Sequence, residues 1–259
     1  MGLIPLPNGS RLHYEQLGDS SGHPIVFLHG WPDSWFSFSA VAGRLPNPYR
    51  CLLLDQRGFG DSDRPQQGYE IHDLAADVVA FLDAVSIDRV SIVGHSMGSF
   101  VARCAAIRFP ERVDHLVLIG SGWSGSNPVT REVLASLRDF ADPVSAEFAR
   151  DFQASTVFAP VPGDFFDRIV AESLKLPARL WGEIFGGVIR YDDVKELGRI
   201  TAPTLLMWGE RDALFPGDDQ DRLVRAIPRA RLRTYRNIGH CPNWECPDIV
   251  AADLDAFLS

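Results

Sequence analysis

The sequence predicts an α/β fold with a mostly parallel sheet, and two observations carry this prediction. Short apolar runs alternate with amphipathic stretches through residues 1–122 and again through residues 200–259. That alternation is typical of parallel strands, because each needs a helical crossover to reach the next. Between these two regions, residues 123–199 show helical periodicity and no segment with a clear strand pattern. We therefore expect one α/β core domain of residues 1–122 and 200–259, into which residues 123–199 are inserted as a helical lid.

Seven segments have the residue pattern of strands. Polar and apolar residues alternate in residues 11–15, as they do in a half-buried strand. Residues 24–28 and 51–54 are continuous apolar runs, as expected of strands buried on both faces. The other predicted strands are residues 90–93, 113–119, 204–208 and 231–235.

Helices are predicted between these strands. An apolar face runs along residues 71–85, where Leu74, Val78 and Phe81 recur at helical spacing. The same reasoning predicts three further core helices, at residues 100–109, 218–226 and 248–258.

The composition is that of an ordinary soluble globular protein. The chain has 259 residues, of which 46% are hydrophobic and 23% are charged, and its net charge is −9. This acidic balance argues against nucleic acid and anionic membranes as partners, because both favour a basic surface. No apolar run approaches the roughly 18 residues of a membrane span, and the N-terminus lacks the pattern of a signal peptide. We expect a cytoplasmic protein with a small-molecule partner; its oligomeric state stays open.

The cysteines are expected to be free thiols in a reducing compartment. The sequence shows no export signal, and Cys241 and Cys246 lack the spacing of a metal site. The four residues concerned are Cys51, Cys104, Cys241 and Cys246.

The most specific motif is G-x-S-x-G, which the chain spells as Gly94-His95-Ser96-Met97-Gly98. It lies between a predicted strand and a predicted helix, which is the setting of a nucleophile elbow. Such a turn holds the serine in a strained conformation, so its neighbours must be small. The helix dipole at the turn favours developing negative charge. Ser96 is therefore the candidate nucleophile.

A serine hydroxyl needs a base, and in elbow enzymes the histidine comes last in chain order. Two histidines follow Ser96 in the sequence, His115 and His240. His115 belongs to a predicted buried strand, whereas His240 lies in the loop directly after the last strand. Loops leaving the carboxyl ends of strands build the site in α/β sheets. His240 is therefore the candidate base.

The acid that orients the base should leave an earlier strand at the same edge of the sheet. The loop after residues 204–208 contains Glu210 and Asp212. Asp212 is our candidate, with Glu210 as the alternative. The strand before the helical segment ends in residues 120–122, which offer no carboxylate. Two further acids, Asp218 and Asp219, have the pattern of a helix cap.

An oxyanion hole requires two backbone N–H groups. Met97 follows the candidate nucleophile and should provide one of them. The other should come from the loop at residues 29–34, where Pro32 has no N–H and Trp31 is the expected donor. Gly30 permits a close backbone approach. His29 is expected to be a structural hydrogen-bonding residue beneath the site.

The predicted lid is rich in aromatic residues. It contains Trp181 and seven phenylalanines, which are Phe140, Phe148, Phe152, Phe158, Phe165, Phe166 and Phe185. One interpretation is that these side chains only pack the lid against the core. The other is that several of them line a substrate pocket together with Trp31; for that role we select Phe140, Phe158, Trp181 and Phe185.

Over essentially its whole length, the chain resembles the α/β-hydrolase fold family. The resemblance rests on the elbow and on four further segments, at residues 29–32, 55–62, 209–212 and 238–240. It implies an eight-stranded, mostly parallel sheet with helices on both faces and an inserted helical lid. It also implies that residues 55–62 form a structural loop.

Within that family, the loop at residues 29–32 is similar to that of epoxide hydrolases and haloalkane dehalogenases. Those relatives use an aspartate nucleophile, where this chain has Ser96. Epoxide hydrolases also offer lid tyrosines, and the predicted lid has only Tyr191. The serine elbow is instead similar to that of esterases, lactonases, carbon–carbon bond hydrolases and cofactor-free haloperoxidases.

The resemblance and the residues together predict a serine hydrolase without metal or organic cofactor. It would cleave a carboxylic ester or lactone of a small, largely apolar substrate through an acyl-enzyme. One alternative is a carbon–carbon bond hydrolase of ring-cleavage products, which pocket-facing arginines such as Arg179 or Arg190 would favour. Others are a haloperoxidase or perhydrolase, and a small-molecule receptor without turnover.

Overall fold

The computed structural model describes residues 2–46, 48–138 and 140–259. Among these residues, eight strands form one sheet in the order β1-β2-β4-β3-β5-β6-β7-β8. Their bounds are β1 (Gly2–Pro5), β2 (Arg11–Gly18), β3 (His23–Leu28), β4 (Tyr49–Leu54), β5 (Val90–His95), β6 (Val113–Ile119), β7 (Thr204–Gly209) and β8 (Ala230–Tyr235). The pairings from β4 to β8 are parallel, whereas β2 pairs antiparallel with both β1 and β4. The expected mostly parallel, eight-stranded sheet is confirmed.

Helices join the strands and cover the sheet. In chain order they are α1 (Ser39–Ala42), α2 (Ile71–Ala84), α3 (Met97–Arg108), α4 (Pro128–Ser136), α5 (Ala146–Thr156), α6 (Gly163–Ser173), α7 (Ala178–Arg190), α8 (Gly217–Ala226), α9 (Pro242–Glu245) and α10 (Pro247–Leu258). Short 3₁₀ helices lie at Trp35–Phe38, Pro110–Arg112 and Leu197–Arg199. No helix in the described part of the chain is long and apolar enough to cross a membrane.

The strands divide the core into two layers, because successive side chains of a strand point to opposite faces. In β3, Val26 and Leu28 belong to the cluster that contains α2 and α3. Ile25 and Phe27 belong to the cluster on the other face, with α1 and α10. Apolar side chains on both faces explain why the inner strands are continuous apolar runs.

All seven strands predicted from residue pattern are present, with ends shifted by a few residues. β1 carries no comparable pattern, because it is a four-residue edge strand with alternating half-buried and exposed residues. The helix expected at residues 100–109 begins at Met97, directly after the serine of the elbow. The chain therefore changes from strand to helix within one residue at this point.

Between β6 and β7, the described residues of 123–199 form α4 to α7 and contain no strand. These helices do not form a hydrophobic core of their own. Leu180, Trp181 and Ile184 of α7 belong to the same buried cluster as α2, α3 and one face of the sheet. The inserted helices therefore pack against the carboxyl-end loops of the strands, where the candidate site residues lie.

Candidate active site

Ser96 lies in the sharp turn between β5 and α3, with φ 50° and ψ −119°. Its N–H donates to the Ile119 carbonyl at 2.9 Å. A Cβ on Gly94 would lie 2.2 Å from the Gly98 carbonyl oxygen, and a Cβ on Gly98 would lie 2.1 Å from that of Leu28. Both glycines are therefore required by close backbone contacts, as the motif predicts.

The structure brings His240 and Asp212 together at neighbouring strand ends. His240 Nδ1 donates to Asp212 Oδ2 at 2.8 Å, and both side chains are almost completely buried. The other carboxylate oxygen of Asp212 accepts from the N–H groups of Leu214 and Phe215. In the described part of the chain His240 Nε2 has no hydrogen-bond partner. That nitrogen is free to accept a proton, and His240 and Ser96 line the same cavity.

The alternative residues for these roles lie elsewhere. Glu210 is exposed to solvent, and His115 packs against Phe257 of α10 outside the cavity. Asp218 and Asp219 are in the first turn of α8, and the expectation that they cap it is wrong, because Pro216 occupies the cap position. Asp219 instead accepts a hydrogen bond from the Trp123 N–H.

The expected oxyanion donors lie on the two backbone segments that approach Ser96. Met97 is the first residue of α3, where a backbone N–H has no acceptor within the helix. A Cβ built on Gly30 would lie 3.1 Å from Ser96 Cβ, so the loop that carries Trp31 passes directly beside the serine. This arrangement is compatible with N–H donation from Trp31 and Met97 to one oxygen atom.

His29 is held in a structural position beneath this loop. Its Nδ1 donates to the Gly30 carbonyl at 2.7 Å, and its Nε2 accepts from the Gln56 N–H at 3.1 Å. Complete burial lowers the pKa of His29, so the ring is neutral at neutral pH. Both ring nitrogens serve to hold the loop.

The cavity beside Ser96 is tight: only about 30 Å³ is open to the centres of water-sized spheres. Its wall is mostly aromatic and aliphatic, and it includes Trp31, Met97, Phe100, Phe152, Phe185 and Phe215. Trp31 and Phe185 pack with ring centroids 4.4 Å apart. Of the residues selected for the pocket from sequence, Trp31 and Phe185 line this cavity.

The expectation that Phe140, Phe158 and Trp181 line the cavity is wrong. Trp181 is completely buried behind Trp31, with ring centroids 5.1 Å apart. Phe140 packs against Phe148 within the inserted helices. Phe158 is 56% exposed and lies under the Arg211 guanidinium. An apolar helical face shows which residues are buried, but it does not show which of them border a cavity.

Among the cavity residues that were not predicted from sequence are two hydrogen-bonded polar side chains, Asp33 and Gln153. Asp33 Oδ1 accepts from Gln153 Nε2 at 2.8 Å, and burial raises the pKa of Asp33 to about 7. Asp33 Oδ2 lies 3.9 Å from Nδ1 of His95, whose Nε2 donates to the His240 carbonyl. Asp33 follows Pro32 in the loop at residues 29–34, so its position was a usable signal. Gln153 has no signal in the sequence.

The candidate arginines lie outside the cavity. Arg179 pairs with Glu183 on the surface of α7, and Arg190 pairs with Glu70. Neither they nor any other arginine or lysine of the described residues lines the cavity. The cavity therefore offers no fixed positive charge to a substrate.

One group of possible metal ligands occurs away from the cavity. Ligand atoms of His13, Asp55 and Asp61 lie within 4.8 Å of one another. The Asp55 oxygens already accept from the His13 ring and from the N–H groups of Trp35 and Asp61. Asp55 thus holds together the loop at residues 55–62, and these contacts agree with the expected structural role of that loop.

Comparisons with known proteins agree with this architecture. The family model of the alpha/beta hydrolase fold matches residues 23–247. The chain is 31% identical over 244 residues to the AB hydrolase superfamily protein YisY of Bacillus subtilis, covering 88% of each chain. It is 30% identical over 252 residues to a 2-hydroxy-6-oxononadienedioate/2-hydroxy-6-oxononatrienedioate hydrolase of Klebsiella pneumoniae, covering 92% of this chain and 87% of that protein.

Among solved structures, an esterase from Exiguobacterium antarcticum superposes with a TM-score of 0.91. The two sequences are 22% identical, and the match covers 100% of this chain and 99% of the esterase. At 22% identity this likeness shows the fold alone. The family model shows the family, because it matches most of the chain. The chain therefore belongs to the α/β-hydrolase fold family and is a hydrolase.

Proposed function

We propose that this hydrolase cleaves a carboxylic ester or lactone of a small, uncharged and largely apolar substrate, with Ser96 as nucleophile. The observation that carries the proposal is the shared cavity. Ser96 lies at the elbow and lines the same cavity as His240, which donates to Asp212 and whose Nε2 has no hydrogen-bond partner among the described residues. Nucleophile, base and orienting acid are the parts that acyl transfer requires.

In the proposed reaction His240 Nε2 takes the proton of the Ser96 hydroxyl as the oxygen attacks the substrate carbonyl. The Trp31 and Met97 N–H groups stabilise the resulting oxyanion, and one such donor typically contributes ~3 kcal/mol. His240 then gives its proton to the departing alkoxide, which leaves an acyl-Ser96 ester. Water, deprotonated by His240, attacks this ester, and the proton returns to Ser96 as the acid departs. Asp212 keeps the imidazole in the required orientation.

The charge of the cavity favours a neutral substrate. The Klebsiella relative is named for a dioate, which carries two carboxylates. In the described chain, no arginine or lysine lines the cavity, and Asp33 contributes a carboxyl group. Placing a carboxylate there would be unfavourable because no cation would compensate its lost hydration. This argument favours ester or lactone hydrolysis over cleavage of ring-cleavage products.

The test is hydrolysis of p-nitrophenyl esters from acetate to dodecanoate, and of simple lactones, by the wild type and by Ser96→Ala. We expect turnover in the wild type and a loss of roughly 10⁶-fold in the variant. Turnover that persists in Ser96→Ala would contradict the proposal. A folded wild type that hydrolyses none of these substrates would also contradict it, and ligand-induced melting shifts without turnover would then favour a receptor.

A further inference from the structure

Glu245, at the end of α9, binds two chain segments that are far apart in the sequence. Its Oε2 accepts from the N–H groups of Phe158 at 2.9 Å and Ala159 at 2.6 Å. Its Oε1 accepts from the Cys241 N–H at 3.3 Å, and both oxygens lie 2.9 Å from the Gly239 nitrogen. Gly239 and Cys241 flank the candidate base. Phe158 and Ala159 come two and three residues after the end of the inserted helix α5.

These two segments are also in direct contact. The His240 N–H donates to the Thr156 carbonyl at 2.8 Å, and Cys241 Sγ lies 3.3 Å from Thr156 Oγ1. A Cβ on Gly239 would lie 2.7 Å from the Phe158 nitrogen, so glycine is required there. The end of α5 and the loop carrying His240 therefore form one joint, and the Glu245 carboxylate lies within it.

We propose that Glu245 is a positioning residue for His240. Its carboxylate fixes the loop that carries the imidazole to the end of α5. The placement of the base and the seating of the inserted helices over the cavity are thus set by one side chain. This inference rests on the proposed role of His240 as base. Glu245 itself is not among the residues that line the cavity.

A carboxylate suits this position better than an amide. Each oxygen of Glu245 accepts at least two N–H groups, which gives the carboxylate charge-assisted hydrogen bonds on both sides. Glutamine has a single acceptor oxygen, and its NH₂ group would face backbone donors on the other side. Glu245→Gln should therefore keep the hydrogen bonds to one of the two segments and lose those to the other. Glu245→Ala should lose the hydrogen bonds to both.

The experiment measures kcat at a temperature well below Tm and expresses it per active site. The active sites are counted by covalent titration of Ser96 with a fluorophosphonate. We expect kcat to fall about tenfold in Glu245→Gln and about 100-fold in Glu245→Ala, the size of effect that a misplacement of about 1 Å produces. A residue that only stabilises the fold would lower Tm and leave kcat per titrated site unchanged. Asp248→Asn is the matched control, because Asp248 is exposed and pairs with Arg44.

Hydrogen exchange provides a readout that does not depend on catalysis. In Glu245→Ala, amides of residues 158–159 should exchange faster together with those of residues 239–241. In Glu245→Gln at least one of these two segments should exchange faster, whereas Asp248→Asn should match the wild type. If the wild type is not labelled by the fluorophosphonate, the proposed function fails, and exchange still tests the joint. The positioning role is overturned if kcat per site stays within twofold of wild type in both variants, or if only one segment exchanges faster in Glu245→Ala. Should Glu245→Ala fail to fold, Glu245→Gln decides alone.

Discussion

At the scale of single residues, Asp33 is the unusual group of the cavity. It belongs to the loop at residues 29–34, its carboxyl group is buried, and burial raises its pKa to about 7. Gln153 donates to one of its oxygens, and Ser37 lies at 3.4 Å from the other. Asp33 therefore changes its charge near neutral pH, within the cavity that we propose to bind substrate.

This ionisation should be visible in the stability of the protein. In the unfolded chain the pKa of Asp33 is near 3.8, and folding raises it to about 7. Its contribution to stability is thus fully present below pH 4 and is lost as the pH rises through 7. Asp33→Asn should match the wild type in Tm near pH 4 and exceed it at pH 8, as measured by thermal melts across that range. Parallel curves for the two proteins would contradict this expectation.

The orienting acid can be identified by a matched pair of amides. Asp212→Asn should lower kcat about 10⁴-fold, because an asparagine no longer selects the tautomer that leaves Nε2 free as acceptor. Glu210→Gln, two residues away and exposed, should retain wild-type kcat. Ester hydrolysis by both variants measures the difference. Equal losses in the two variants would show that the acid is misassigned.

The sequence was enough to predict that the three residues of the candidate triad lie near one another, because the ends of parallel strands share one edge of the sheet. Ser96, Asp212 and His240 each follow a strand, so strand prediction placed them. Asp33 and Gln153 could not be paired in this way, since they are 120 residues apart and meet only through tertiary packing. Glu245 was missed for the same reason.

At the scale of elements, α7 shows how one helix serves both the core and the cavity. Trp181 and Phe185 are one turn apart, and both contact Trp31. Phe185 borders the cavity, whereas Trp181 lies behind it. From the sequence, both were expected to line the substrate pocket. The placement of α7 against the loop after β3 decides which of them a substrate meets, and that placement is not encoded locally.

Shortening Phe185 should therefore lengthen the cavity. In Phe185→Ala we expect the optimum of the p-nitrophenyl ester series to move to longer acyl chains, with a stability loss of about 3–5 kcal/mol from the lost packing. Phe140→Ala is the control, since Phe140 lies outside the cavity, and its optimum should stay at the wild-type length. The same shift in both variants would mean that general loosening of the inserted helices causes it.

At the scale of the whole molecule, the inserted helices and the sheet share one core. Leu180 and Phe185 belong to the same buried cluster as Val26 and Leu28 of β3. A buried ion pair adds a second link, because Arg103 of α3 binds Asp193, which follows α7. Breaking a buried pair of this kind typically costs 3–5 kcal/mol.

We accordingly expect residues 123–199 to unfold together with the rest of the chain. Differential scanning calorimetry should show a single transition whose calorimetric and van't Hoff enthalpies agree. Unfolding followed by tryptophan fluorescence should coincide with the loss of helical circular dichroism. A separate transition at lower temperature would show instead that the inserted helices form an independent unit.

The backbone conformation at Ser96 favours one residue for thermal stability and another for the proposed catalysis. Its φ of 50° and ψ of −119° are the mirror image of a conformation that ordinary residues favour, so glycine alone adopts it without strain. A library screened only for heat resistance would thus favour glycine at position 96 and would discard the proposed nucleophile. Directed evolution of this protein needs a turnover screen at every round, because this strained residue is also the one that the proposed reaction cannot exchange.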